Sequence, residues 1–178
     1  MTVRGRIIAA TTTITLALTL TGCALSGGAM TDPADQAIVP PGEFSAKTEQ
    51  QTLEEALAHT NDLVQLLAGE WLDSHDRPFV VPNNERWSYG PCGAPSTNQY
   101  SIHVQQVAPV ADPLAKIEQV REHWRSLGYQ VRQIGPADTD DEKLTEIFVD
   151  LPYGALLKFD ASTTGMGIST QSECVKEE

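Results

Sequence analysis

The apolar and polar positions of this chain change rhythm several times, and each change marks an element. Ile7 to Leu20 is an apolar run broken only by threonines, whereas Ala24 to Ser45 has no regular period and carries Ser26-Gly27-Gly28 and Pro40-Pro41-Gly42. A helical period follows. Leu53, Ala56, Leu57, Thr60, Leu63, Val64 and Leu67 share one face before Gly69 offers a stop. Thr52-Leu-Glu-Glu55 has the spacing of a capping box, which predicts that this helix begins at Thr52. Glu54 and Glu55 are then favourable at the positive end of its dipole.

From Glu70 to Pro95 the pattern is irregular, with four prolines. Phe79-Val80-Val81 reads as a short edge strand. Gln99 to Val107 alternates, with Tyr100, Ile102 and Val104 on one side and Ser101, His103 and Gln105 on the other, as a half-buried strand does. Asp112 then caps a helix with Pro113 at its first position, striped by Leu114, Ile117, Val120, Trp124 and Leu127 and ended by Gly128. Tyr129 to Ile134 alternates again, so a strand, a right-handed helical crossover and a second strand are expected. The remainder reads as a meander of strands over 144–151, 155–161 and 166–172, with turns at Pro152-Tyr153-Gly154 and Thr163-Thr164-Gly165. The expected fold is a single two-layer α+β domain over residues 52–178. Its antiparallel-rich sheet should have four to five strands with two helices on one face, in the order α-β-α-β-β-β.

The N-terminal run changes the picture of where this domain works. Arg4 and Arg6 precede the apolar stretch without any acid, and Gly22 supplies a small residue before Cys23. As a helix, Ile7 to Leu20 would cover about 21 Å, short of the roughly 30 Å hydrocarbon core, so a permanent membrane span is disfavoured. Leu20-Thr21-Gly22-Cys23 resembles the lipobox of bacterial lipoproteins, in which the cysteine thiol receives a diacylglyceryl group and the bond before it is cut. The resemblance implies a cleaved signal peptide over 1–22, cleavage between Gly22 and Cys23, and lipidation of Cys23. An ordinary signal peptide with a chance cysteine is the alternative. Residues 23–51 would then be the lipidated residue and a flexible tether, and two acyl chains would give stable anchoring.

Charge narrows the partners. The chain has 12 basic and 24 acidic residues, and loss of Arg4 and Arg6 would leave a mature charge of −14. Such a surface repels nucleic acid and anionic headgroups, so no nucleic-acid partner is expected. Asp138, Asp140, Asp141 and Glu142 form the one short acidic run; it reads as a solvated loop and lacks the ligand order of an EF-hand calcium site.

With Cys23 committed to lipid, Cys92 and Cys174 remain as a pair in an oxidising compartment, and a disulfide between them is predicted. They lie 82 residues apart, for which chain entropy gives roughly 4–5 kcal/mol of stabilisation.

Candidate chemistry is sparse. The chain has no G-x-S-x-G elbow, no H-E-x-x-H, no Gly-rich phosphate loop and no C-x-x-C. Asp73-Ser74-His75-Asp76 offers several ligand types to a metal but reads first as a flexible acidic loop after a helix, so neither a metal nor a cofactor is expected. No catalytic residue stands out. Trp71, Trp87 and Tyr89 are the candidate interaction surface, against the reading that they pack beside the disulfide.

The lipobox, the tether, one α+β domain and two further cysteines together resemble the small envelope lipoproteins of actinobacteria, of the LppA type. That resemblance implies an extracytoplasmic face of the cell membrane and no particular chemistry. The leading expectation is a membrane-anchored, noncatalytic interaction module whose partner is an envelope protein or the cell wall. A carrier of a small ligand or lipid is the alternative, and a cell-envelope hydrolase is the third reading.

Overall fold

A computed structural model describes residues 43–81, 87–93, 95–135 and 144–177. Gly22, Cys23 and the acidic run Asp138–Glu142 lie outside the described residues, and so do the readings made on them. The elements in chain order are α1 (Glu49–Leu67), β1 (Leu72–Asp73), β2 (Ser88–Pro91), β3 (Thr97–Gln106), α2 (Pro113–Ser126), β4 (Val131–Ile134), β5 (Thr145–Asp150), β6 (Leu156–Ser162), β7 (Gly165–Gln171) and β8 (Val175–Lys176).

The class is α+β, with two helices and one antiparallel sheet, as the patterning predicts. The sheet has eight strands, more than the four to five expected, because β1, β2 and β8 are short pieces paired to β3. Its main path runs β1-β3-β7-β6-β5-β4. Every pairing along it is antiparallel, so β3 and β4 point the same way although β7, β6 and β5 stand between them. The expected crossover through α2 therefore exists, but it spans three strands and joins the two flanks of the sheet.

Alternation decides the two faces. Cross-strand register aligns Val104, Ile168, Phe159 and Ile147 in one row and Ile102, Thr170, Leu157, Val149 and Val131 in the next. These rows carry the core, with Val104, Phe159 and Ile147 wholly buried. α1 lies over β3 and β7, and α2 over β6, β5 and β4, so both helices cover this one face. α1 buries Ala56, Leu57, Thr60, Leu63 and Leu67, and α2 buries Ile117, Val120 and Trp124. Thr60 is the polar member of the α1 stripe; its hydroxyl satisfies itself on Ala56 O and meets Thr170 Oγ1 at 2.9 Å.

Two boundaries differ from expectation. α1 begins at Glu49, capped by Thr48 with Gln51 closing the box, one turn before Thr52. Thr48-x-x-Gln51 and Thr52-x-x-Glu55 both fit the capping pattern, and Thr52 is instead buried inside the helix with its hydroxyl on Glu49 O. The folded domain also starts earlier than residue 52: Ser45 bridges Val175, its N–H bonds Cys174 O at 2.8 Å, and Lys47 pairs with Glu173 at 2.9 Å. The second difference is at Phe79-Val80-Val81, which forms no strand of the sheet. The chain returns there on itself, Pro78 bridging Leu72 and Phe79 N–H bonding Trp71 O, so Phe79 is buried while Val80 and Val81 are exposed.

Candidate functional site

The face of the sheet away from the helices carries a different chemistry. Along one row lie His103, Ser169, Lys158, Phe148 and Arg132, and along the next Gln105, Gly167, Asp160, Glu146 and Ile134. Charges here are compensated in place. Arg132 holds Asp150 through Nε and Nη2 and lies over the Phe148 ring at 5.0 Å, which helps bury that phenyl on the face that neither α1 nor α2 covers. Lys158 reaches Glu146 at 2.5 Å and Asp160 at 3.6 Å. Burial pushes the Asp160 carboxyl above the ordinary carboxylate value despite the ammonium beside it, and Glu146 adds to the same effect. Gly167 makes room for this carboxylate, because a Cβ there would stand 2.8 Å from Asp160 Oδ2.

At the β3 flank the sheet opens into a cleft. The outer edge of β3 is paired by β2 at Asn98–Ser101 and by β1 at Val104–Gln105, which leaves Ile102 and His103 between the two short strands. A cavity of about 310 Å³ sits at this junction. β1 and the loop after it contribute Asp73, His75 and Arg77 to it, and the other wall carries Trp87 with Ser88, Ser101 and His103. Ser88 and Ser101 are register partners, so two hydroxyl-bearing residues meet on adjacent strands. His103 Nδ1 lies 3.0 Å from Ser169 Oγ, which fixes that ring.

The loop itself is built around one carboxylate. Asp73 is almost wholly buried; its Oδ1 accepts from the backbone N–H of His75 and Arg77, and its Oδ2 accepts from Arg77 Nε at 3.0 Å and Nη2 at 2.8 Å. Burial alone would raise this carboxyl, but those donors and the guanidinium outweigh it and hold the group below its ordinary value. The same contacts engage the acidic loop Asp73-Ser74-His75-Asp76. Asp73 is spent on the loop, and among the described residues no three His, Cys, Asp or Glu side chains gather in a way that would hold a metal ion.

The candidate aromatic surface is dispersed. Trp71 is a core residue, 2% exposed, with Nε1 donating to Ala68 O; the hairpin return at Phe79 draws it inward, so it does not belong to a surface. Trp87 is half-buried, tilted against Phe79 at 6.0 Å and facing the cleft. Tyr89 is exposed but engaged, its ring 4.6 Å from Tyr100 and its hydroxyl donating to Glu49 at the start of α1. Burial and the Glu49 carboxylate push the Tyr89 phenol up to about 12. Cys92 and Cys174 are bonded, with Cα atoms 5.8 Å apart, and this bond ties the β2–β3 turn to the segment between β7 and β8.

A second hollow of about 470 Å³ runs along β4 beside Tyr129, Arg132 and Asp150. Its one cationic group, Arg132, is committed to Asp150 and Phe148. Among the described residues no helix is long and apolar enough to cross a membrane. Comparison with protein-family models, with curated proteins and with solved structures finds no match to this chain.

Proposed function

We propose that the chain is a membrane-anchored lipoprotein whose domain works as a noncatalytic interaction module on the extracytoplasmic face of the cell membrane. The observation that carries this reading is the Cys92–Cys174 disulfide in a domain that follows an apolar segment ending in Leu-Thr-Gly-Cys23. Such bonds persist in oxidising compartments, and a thiol at the end of a signal-like segment is the group a lipoprotein needs. The covalent diacylglyceryl group on Cys23 is then the attachment to the membrane, and the partner is an envelope protein or the cell wall.

The surface suits recognition. On the sheet face away from α1 and α2, Arg132 and Lys158 are paired with Asp150 and Glu146, so contact with a partner there need not strip these ions of water singly. A reading as a small-ligand binder is favoured by one further feature, the cleft at the β1–β2 junction.

Crosslinking in intact cells followed by mass spectrometry tests the proposal, with Cys23→Ser as control. The wild-type chain is expected in the membrane fraction with a reproducible partner, and the variant in the soluble fraction without it. Equal fractionation of the two chains would remove the anchor, and an anchored chain with no envelope partner would remove the interaction module.

A further inference from the structure

We infer that the cleft between the β1 loop and β2 is a saccharide site that takes one pyranose ring of an envelope glycan, with Trp87 as its apolar wall. The inference rests on the extracytoplasmic reading only for the source of the glycan; the chemistry of the site stands on the cleft alone.

Three properties of the cleft select this ligand class. The first is charge. Among the described residues of the lining, Arg77 directs Nε and Nη2 onto Asp73, so this guanidinium and this carboxylate offset each other and do not favour a phosphate or sulfate. The second is the supply of groups that both donate and accept. Ser88 and Ser101 bring hydroxyls, and His75 and His103 bring imidazoles, each able to meet a sugar hydroxyl in either sense. The Nδ1 contact of His103 with Ser169 leaves Nε2 for a ligand. The third is the wall itself. A pyranose presents C–H groups on its faces and hydroxyls around its rim, and an indole beside a ring of hydroxyls and imidazoles answers both.

The cleft is also the size for one ring and a portion of the next. At about 310 Å³ it lies at the lower end of small-molecule sites. Its two sides are held rigidly, the loop by four hydrogen bonds to Asp73 and β2 by its ladder to β3. A rigid, preformed cleft spends little on ordering when a ligand enters.

The chain offers its own reporter. It has three tryptophans; Trp71 and Trp124 are 2% and 1% exposed in the core, so Trp87 is the one a ligand can touch. The full chain, in micelles of a detergent without a sugar headgroup, is titrated with the disaccharide of N-acetylglucosamine and with cellobiose, and inorganic phosphate serves as the anion probe. At least one disaccharide is expected to give a saturable change in tryptophan emission, and phosphate none. By calorimetry, Trp87→Ala is expected to weaken the disaccharide by about tenfold or more, as loss of an aromatic anchor does, and Ser101→Ala by several-fold with an unchanged melting temperature. Co-sedimentation with purified insoluble cell-wall glycan, competed by the free disaccharide, distinguishes a polymer source from a free sugar.

No saturable response to either disaccharide, a response to phosphate alone, or binding that survives both substitutions unchanged would each overturn the site. Failure of the anchor is separable. A chain that binds disaccharide but partitions into the soluble fraction keeps the saccharide site and loses the lipoprotein reading; an anchored chain blind to sugar does the reverse.

Discussion

Two aspartates show how differently one residue type is used in this fold. Asp73 receives four hydrogen bonds and is held below the ordinary carboxyl value, so its charged form stabilises the native state. That stability is present above about pH 3.9, the value for an unfolded aspartate, and is lost as the pH falls through the lower folded value. Asp73→Asn is therefore expected to cost about 1–3 kcal/mol at pH 7 by chemical denaturation, with the gap to wild type closing in acid. Asp160 behaves oppositely. Its carboxyl is raised by burial, so the folded chain takes up a proton at higher pH than the unfolded one and the charged group is a liability above that value. Asp160→Asn should raise the melting temperature at pH 7, and the gain should fade as the pH drops toward about 3.9. A lower melting temperature for this variant at pH 7 would mean that the Lys158 contact outweighs burial.

The elements were legible in the sequence to different depths. Both helices and β3 follow from periodicity, because each sets one face against a shared core, and β5, β6 and β7 follow from the turns that separate them. Where the pattern admits two answers it misleads: Thr48-x-x-Gln51 and Thr52-x-x-Glu55 are one turn apart, and the deciding fact, Thr52 against the core, is tertiary. β1 and β2 are too short to show alternation, and they form because β3 offers them an edge. The cleft was illegible for the same reason. Asp73 and His75 are neighbours in sequence, but their approach to Trp87 and His103 depends on two pairing registers that no local pattern encodes. Trp71 sits in an irregular stretch with no period to place it, and its core position follows only once the return at Phe79 is known. Glycines mark where elements approach closely. A Cβ at Gly165 would stand 2.7 Å from the backbone oxygen of Gln106, which cannot swing aside, whereas at Gly167 it meets the movable end of Asp160. Gly165→Ala is thus expected to lower stability by about 1–3 kcal/mol and to cost more than Gly167→Ala, as equilibrium unfolding of the two variants would show. The Gly167 cost should shrink when Asp160 is also changed to Ala, since the two residues compete for one space.

At the scale of the whole molecule the disulfide is a covalent constraint between residues 82 apart. Reduction without denaturant is expected to lower stability by roughly 4–5 kcal/mol, read as a large fall in melting temperature, and an unchanged melting temperature would show that the bond constrains little. Its position has a mechanical consequence. The chain enters the domain at Ser45, which is hydrogen-bonded to Cys174 and bridged to Val175, and Cys174 is bonded across to Cys92 beside β2. In a protein tethered through Cys23 and gripped at Trp87 or Ser88, a pull would travel from Ser45 through Cys174 to Cys92, along one rim of the domain. The covalent part of that line is the disulfide; the step from Ser45 to Cys174 is a hydrogen bond and a bridge, and once it yields the load would pass along the chain into α1.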